Sequence, residues 1–450
     1  MNKKDVIVVG GGPAGIAAAL SAARNGASTL LIERYGYLGG MATIGLVNHL
    51  DPLKIIESSG IPWEIYNKLK ERGMVKEFSV DQFEMPFSFW QGGCSFDPEA
   101  FKLMANELMQ EAGVKLLFHT WVSGVIKEEE QVKGVQVHNK SGKQDIYANV
   151  IIDATGDADL AAQAGVPFEI GDLDGKCMSP TLCFRVAGVD SDKLYSYLDN
   201  NPDQIGKHPR LGSYIKDPRH SVTLQGFYEL IAEAKEKGDL KISLPESGIG
   251  MSVQPREGEF NVNATRVLGI NPVDSEDLSY AELKERDNVR QLVDFMVKYF
   301  PGFKDAYLLQ TADQVGVRES RRIQGEYKLT LDDIKKKRQF EDAVVRAKWA
   351  HSDNHSGKDM KWSFEFFEGP YWIPYRVMLP QKVDNLLVTG RSISATREAM
   401  ASIRIMPICS SIGEAAGAAA AIAVQNGVTP RCVDTAELKK SLQKQNVILE

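Results

Sequence analysis

The opening segment DVIVVGGGPAGIAAAL constrains this chain more than any other. Gly10, Gly12 and Gly15 close a strand-turn-helix unit that begins a few residues from the amino terminus. Val6 to Val9 read as a buried parallel strand, and Pro13 to Arg24 as a helix with Ile16, Ala19, Leu20 and Ala23 turned inward. Each glycine has its own task. The first permits a tight turn, the second lets backbone approach a pyrophosphate, and the third lets helix press on strand. The helix start then offers unpaired N–H groups and a positive dipole end to phosphate. Ser28 to Ile32 form a second apolar strand ending at Glu33, 18 residues beyond Gly15, where a carboxylate can grip a ribose hydroxyl. A glycine-rich turn alone is weak evidence; flanked by strand, helix and acid, it reads as a dinucleotide cradle.

At 450 residues the chain is long enough for two or three interleaved domains. Its 43% hydrophobic and 25% charged residues are ordinary for a globular protein. A net charge of −7 argues against a nucleic-acid partner. Cleavage of a leader would destroy the first strand, so a cytoplasmic location is expected. The most apolar long segment, Cys409 to Val424, carries Glu414 and is short for a bilayer span, so it reads as a buried helix and no membrane partner is expected. The cysteines Cys94, Cys177, Cys183, Cys409 and Cys432 form no CxxC pair, which removes a redox disulfide and a closely spaced cluster motif and leaves free thiols in or near the core.

A second glycine-rich turn spans Gly36 to Thr43. Asp97 reads as an N-cap with Pro98 at the first helical position, and Gly113 ends that helix. Val114 to Val122 follow as a strand. Gly134 to His138 and Asp145 to Tyr147 read as antiparallel strands joined through Asn139 to Gly142, before an apolar strand at Val150 to Asp153. From Gly165 short strands (Thr181 to Val186, Phe260 to Val267) alternate with polar helices, the longest from Ser275 to Phe300. Leu386 to Thr389 resume the buried-strand pattern, and Pro407 opens a helix to about Gln425. The expected architecture is α/β: a Rossmann-like domain in two parts, 1–164 and 381–450, with an inserted α+β substrate domain over 165–380.

Gly10 to Gly15, Gly39 to Thr43, Asp97 to Glu99, Ala154 to Asp157, Gly390 to Ala395 and Gly413 to Gly417 together resemble the FAD-dependent oxidoreductases of the glutathione-reductase-like fold, closest to a single-flavin group. The resemblance covers both ends of the chain and is weaker at Gln314 to Arg322. It implies that Gly10, Gly12, Pro13, Ala14 and Gly15 line the FAD pyrophosphate, with Glu33 on the adenosine ribose and Arg34 beside the adenine. Gly39, Gly40, Met41, Ala42 and Thr43 would pass the pyrophosphate and ribityl chain, and Val122 would meet the adenine edge. Ala154, Thr155, Gly156 and Asp157 would return the chain against the nucleotide, and Gly390 and Arg391 would sit at the diphosphate–ribityl end. Ile405, Met406 and Cys409 would place a helix start at the pyrimidine side of the flavin, where reduced flavin carries negative charge. Two departures matter: Arg391 stands where GD-pattern relatives place an aspartate, and Arg397 where the closer group often has histidine. Arginine is a poor general base.

Pyridine-nucleotide flavin reductases carry a second GxGxxG, and this chain has none. The expected electron partner is a small organic substrate or a diffusible acceptor, with hydride transfer at flavin N5. Arg318, Arg321, Arg322, Arg376, Arg397 and Arg404 are candidates for clamping an anionic substrate, and acids such as Glu319, Glu326 and Glu398 are their alternative partners. His49, six residues after Thr43, is a candidate proton shuttle or covalent flavin attachment point. Cys409, in the first turn of the late helix, is read as having a lowered thiol pKa or as a packing residue. His351 and His355 stand four apart but read as a solvated loop, so no metal is expected. The alternatives are a flavoenzyme with non-redox or biosynthetic chemistry, and a flavin subunit of an electron-transfer assembly. Dimerisation is compatible with the chain's size.

Overall fold

The computed structural model describes residues 3–50, 56, 59–77, 93–208, 212–213, 219, 223–348, 351–367 and 369–450. Its first sheet grows from β1 (Lys4–Val9), whose Val6 to Val9 are buried, followed by α1 (Pro13–Arg24) and β2 (Thr29–Ile32). Asp97 caps α2 (Pro98–Glu111) by accepting the N–H groups of Glu99 and Ala100, as its sequence anticipates. Then come β3 (Lys115–Leu117), β4 (Trp121–Glu128), β5 (Gln131–Asn139) and β6 (Gly142–Asp153). The strand expected over Val114 to Val122 is thus two strands. His119, with φ of 50°, breaks the run, and its N–H bonds Tyr35 O at 3.1 Å. Conversely, the two strands expected between Asp145 and Asp153 are one, because β6 serves two neighbours: its first half pairs antiparallel with β5, its second parallel with β1.

A second sheet comprises β7 (Phe184–Ala187), β8 (Thr223–Gly226), β9 (Ile249–Val253), β10 (Phe260–Asn263) and, after the long helix α3 (Ser275–Tyr299), β11 (Tyr307–Thr311). All its pairings are antiparallel, in the order β8-β9-β10-β7-β11. The chain returns through β12 (Leu386–Val388), which pairs in parallel with β6, giving the first sheet the order β3-β2-β1-β6-β5-β4 with β12 beside β6. It then enters α4 (Met406–Asn426), closed by Gly427 in the left-handed region.

Two glycines on α4 explain how the ends of the chain meet. A Cβ on Gly413 would lie 2.0 Å from Ala14 O, and one on Gly417 2.2 Å from Ala18 O, so α4 packs backbone to backbone on α1. The 18-residue apolar window of α4 has mean hydropathy 1.4 and is 94% buried inside the protein; α4 is longer than its sequence suggested, long enough to cross a bilayer, and forms part of the core. A second core under β7–β11 runs from Leu182 to Val315 and includes Leu46. Leu329 to Leu379, by contrast, pack into the first core with α1 and α4. His351–His355 form a strand paired with Trp362–Phe366, not a loop, and His355 is buried.

Candidate active site

The C-terminal ends of β1, β2, β6 and β12 open onto a cavity of about 650 Å³, where open α/β sheets bind ligands. Gly10, with φ of 101°, turns the chain; a Cβ there would lie 2.5 Å from Ala154 O. Gly12 faces open space: a Cβ there would meet only the Gly40 Cα, at 3.8 Å. Gly15 is shut against Gly10. The three glycines therefore divide their tasks as their spacing implies: turn, open face and helix contact.

Gly10, Gly12, Pro13, Ala14, Glu33, Arg34, Gly40, Met41, Val122, Ala154, Thr155, Gly156, Asp157, Gly390, Arg391, Ile405, Met406 and Cys409 line this cavity. Gly15, Gly39, Ala42 and Thr43 stand behind its wall: Gly39 N–H bonds Gly11 O at 2.8 Å, and the Thr43 hydroxyl donates to Leu38 O at 2.9 Å. Glu33 is buried, accepting the N–H of Gly11 at 2.6 Å and of Tyr35 at 3.0 Å. Burial pushes its carboxyl above the ordinary range, against the pull of those N–H groups. Each carboxylate oxygen has a second lone pair for a ribose hydroxyl. Arg34 lies 5.3 Å from the Trp121 ring and donates to Gln314 at 2.8 Å, while the Tyr35 hydroxyl also bonds Gln314.

At the other end Arg391 pairs with Asp157 at 2.7 Å, and Asp157 also accepts the Ser320 hydroxyl. Arg391 Nη1 and Thr389 Oγ1, on two residues of the cavity wall, are buried without a hydrogen-bond partner among the described residues. Such orphaned groups call for a polar ligand. Together with the open face of Gly12, they fit a bound dinucleotide. Ile405, Met406 and Cys409 bring the start of α4 to the same cavity, but burial pushes the Cys409 thiol up to about 12. Its pKa is raised, not lowered by the helix end; it is a packing residue.

The candidate substrate residues separate. His49 and Arg404 line the cavity. Arg376 does not; its fork is bound to Asp342 at 2.9 and 3.1 Å. Arg397 also lies off the wall, bonded to buried Glu319 at 2.9 and 3.1 Å, and Glu319 takes Arg322 as well. Arg321 lines the cavity but is paired with Asp159 at 2.8 Å. Sequence reasoning missed the opposite wall, where Thr181, Thr223, Ser252, Asn263, Arg266 and Gln314 gather. It also missed the buried amides that hold the chain on the N-terminal side of His49: Asn261 donates to Leu46 O at 2.6 Å and to Asn48, and Asn48 donates to Phe96 O at 3.0 Å and to Gln254.

A family model described as FAD dependent oxidoreductase matches residues 5–442. The chain belongs to the FAD-dependent oxidoreductase family. It is an enzyme of that family, and FAD is its cofactor. It is 28% identical over 213 residues to digeranylgeranylglycerophospholipid reductase 1 of Methanococcoides burtonii, which is 44% of this chain and 49% of that protein. It is 30% identical over 167 residues to the thiamine thiazole synthase of Methanococcus vannielii, 34% of this chain and 56% of that protein. The chain thus spans about half the length of the curated relatives it matches. Among solved structures, a geranylgeranyl bacteriochlorophyll reductase-like protein of Thermoplasma acidophilum superimposes with a TM-score of 0.52 at 16% identity, covering 99% of this chain and 84% of that one. That likeness shows the fold, an α/β Rossmann-type FAD-binding architecture.

Proposed function

We propose that this FAD-dependent oxidoreductase transfers a hydride between a small organic, anionic substrate and the flavin. The observation that carries the reading is a cavity whose one wall is the glycine-rich cradle and whose other wall is polar and built by the second sheet. FAD bound in the cradle supplies a two-electron acceptor at N5. The N–H groups at the start of α4, where Ile405, Met406 and Cys409 line the same cavity, would stabilise negative charge on the bound cofactor. The polar wall holds and orients the substrate. His49, on the cavity surface and on a strand paired with Ser95, gives or takes the accompanying proton at an imidazole nitrogen.

On this reading the chain divides as 1–164 and 381–450 for FAD and 165–380 for substrate, in the glutathione-reductase manner; the separate core under the second sheet supports that division over Leu182 to Val315, whereas Leu329 to Leu379 pack with α1 and α4. The reductase names of the archaeal relatives support a redox reaction over non-redox use of the flavin. Their printed substrate, a glycerophospholipid, is one anionic candidate for this chain. An anaerobic screen of carboxylates, phosphate esters, sugars and amines, following the visible flavin band, tests the proposal. Bleaching by an organic anion is expected; turnover with an unchanged flavin spectrum would overturn it.

A further inference from the structure

The short segment from Gly316 to Arg322 crosses from the second sheet's wall of the cavity to the nucleotide cradle. At its start it belongs to the second sheet's side. Val315 packs into that core, and Gly316 pairs with Thr181 through an N–H to O bond of 2.6 Å and a returning one of 3.2 Å. Arg318 lines the cavity and donates to Ser179 O at 2.8 Å. Two residues later the segment has reached the loop after β6. Ser320, 1% exposed, places its hydroxyl 2.7 Å from Asp157 Oδ1 and 3.3 Å from Gly156 O. Arg321 Nη1 donates to Asp157 O at 3.1 Å, so Asp157 is held by side chain and main chain at once.

The effect of that anchorage is visible at Arg391, 234 positions beyond Asp157. Asp157 Oδ1, the oxygen already bonded to Ser320, also takes Arg391 Nη2 at 2.7 Å. A carboxylate free to turn frequently grips a guanidinium with both oxygens, engaging two of its nitrogens. Here the grip is single. Arg391 Nη1 stays out of it, buried with no partner among the described residues. Gly156, with φ of 78°, makes room for the fork: a Cβ there would come within 3.3 Å of Nη2.

The surroundings of Nη1 favour an anionic acceptor. Gly390, with φ of 74°, turns the chain onto the first turn of α1, where a Cβ on it would lie 3.1 Å from the Ala14 Cβ. Arg391 therefore follows directly on a contact with the helix start, whose N–H groups and dipole favour negative charge. Thr389 Oγ1, on a fully buried residue of the same turn, is a second group with no partner among the described residues. A buried guanidinium N–H left unmade is costly, and a phosphate oxygen matches its geometry.

We propose that Ser320 is a positioning residue for the cofactor: by holding Asp157 to a one-oxygen grip on Arg391, it keeps Nη1 free for the FAD diphosphate. The segment that carries Arg318 on the substrate side thereby also sets a donor to the cofactor. This role is independent of the substrate and of hydride transfer.

The test displaces FAD from the loaded protein with ADP and, separately, with adenosine, followed by the fluorescence of released flavin. The two ligands share base and ribose and differ in the diphosphate. The ratio of their half-displacing concentrations therefore reports phosphate recognition, whatever the FAD affinity of a variant. ADP should outcompete adenosine in the parent. Its advantage should fall at least about tenfold in Arg391→Gln and roughly 2- to 10-fold in Ser320→Ala, with adenosine itself unchanged. Ser320→Thr, which keeps the hydroxyl, should restore the advantage to within about twofold of the parent. Should Ser320→Ala fail to fold, Asp157→Asn, which weakens the hold on Arg391, decides in the same assay by the same fall. A merely structural Ser320 would weaken both ligands alike or neither, and either result overturns the proposal. A loss in Arg391→Gln without one in Ser320→Ala also overturns it, since Arg391 would then meet the diphosphate without help from Ser320.

Discussion

A Cβ placed on Gly15 would lie 1.8 Å from the carbonyl oxygen of Gly10, whereas one placed on Gly12 would meet nothing closer than 3.8 Å. The two glycines of one turn are thus required for different reasons. Gly15→Ala forces α1 off β1 and should lower Tm sharply or prevent folding. Gly12→Ala leaves the protein fold undisturbed and crowds only the ligand. Its apoprotein should keep the parent circular dichroism and Tm, with FAD affinity reduced at least tenfold by fluorescence titration. Equal effects of the two substitutions would contradict this division.

Gln314 joins the second sheet's side of the cavity to the segment after β2 by accepting from both Arg34 and Tyr35. Gln314→Ala removes that tie. At about 0.5–1.5 kcal/mol for a hydrogen bond, FAD should dissociate roughly 2- to 10-fold faster. Rapid gel filtration followed by the flavin-to-protein absorbance ratio measures it. An unchanged release rate would show that this tie does not retain the cofactor.

Arg376 is set apart from the cavity by its bonds to Asp342. Arg376→Gln should therefore leave KM for any substrate within twofold of the parent. Since the guanidinium is about half exposed, its loss should change stability by no more than about 1 kcal/mol. A large rise in KM would return Arg376 to the substrate site.

Glu414, buried in α4, accepts the N–H of Ile61 at 2.9 Å and so caps the helix Gly60–Glu71 from a distant part of the chain. Burial pushes its carboxyl up to about 8, opposed by that N–H and by Arg24, with Glu64 adding to the rise. The folded state therefore holds a proton that the unfolded chain releases near the ordinary glutamate value. This contribution to stability is full below that value and is lost as pH rises towards about 8. Glu414→Gln keeps an acceptor without the charge. The stability difference between variant and parent, from urea unfolding across pH 5 to 9, should move in the variant's favour as pH rises through that window. A pH-independent difference would contradict the assignment.

The parts of this fold set by near neighbours were readable in the sequence. Val6 to Val9 are apolar on both faces because Val6 and Val8 pack into the core with α1 and α4 while Ile7 and Val9 pack into the one on the other side of the sheet, Asp97 caps α2 two and three residues away, and Gly427 ends α4. What depended on distant partners was not. The roles of Arg376 and Arg397 follow from Asp342 and Glu319, 34 and 78 positions away. His355 is buried because its strand pairs with Trp362–Phe366, although its polar neighbours read as a loop. The substrate-facing wall is hardest of all, since Ser252 and Asn263 come together only through the antiparallel pairing of β9 with β10, and Thr181 and Arg266 only through a side-chain hydrogen bond between segments 85 positions apart.

The most direct test of an enzyme fed by its organic substrate is anaerobic stopped-flow reduction of the FAD-loaded protein, with NADH, NADPH and the organic anions from the screen as separate reductants. Bleaching of the flavin band should be rapid and saturable with an organic anion, and slow and linear in concentration with either nicotinamide. Rapid, saturable bleaching by NADH or NADPH, with none by any organic anion, would contradict the account.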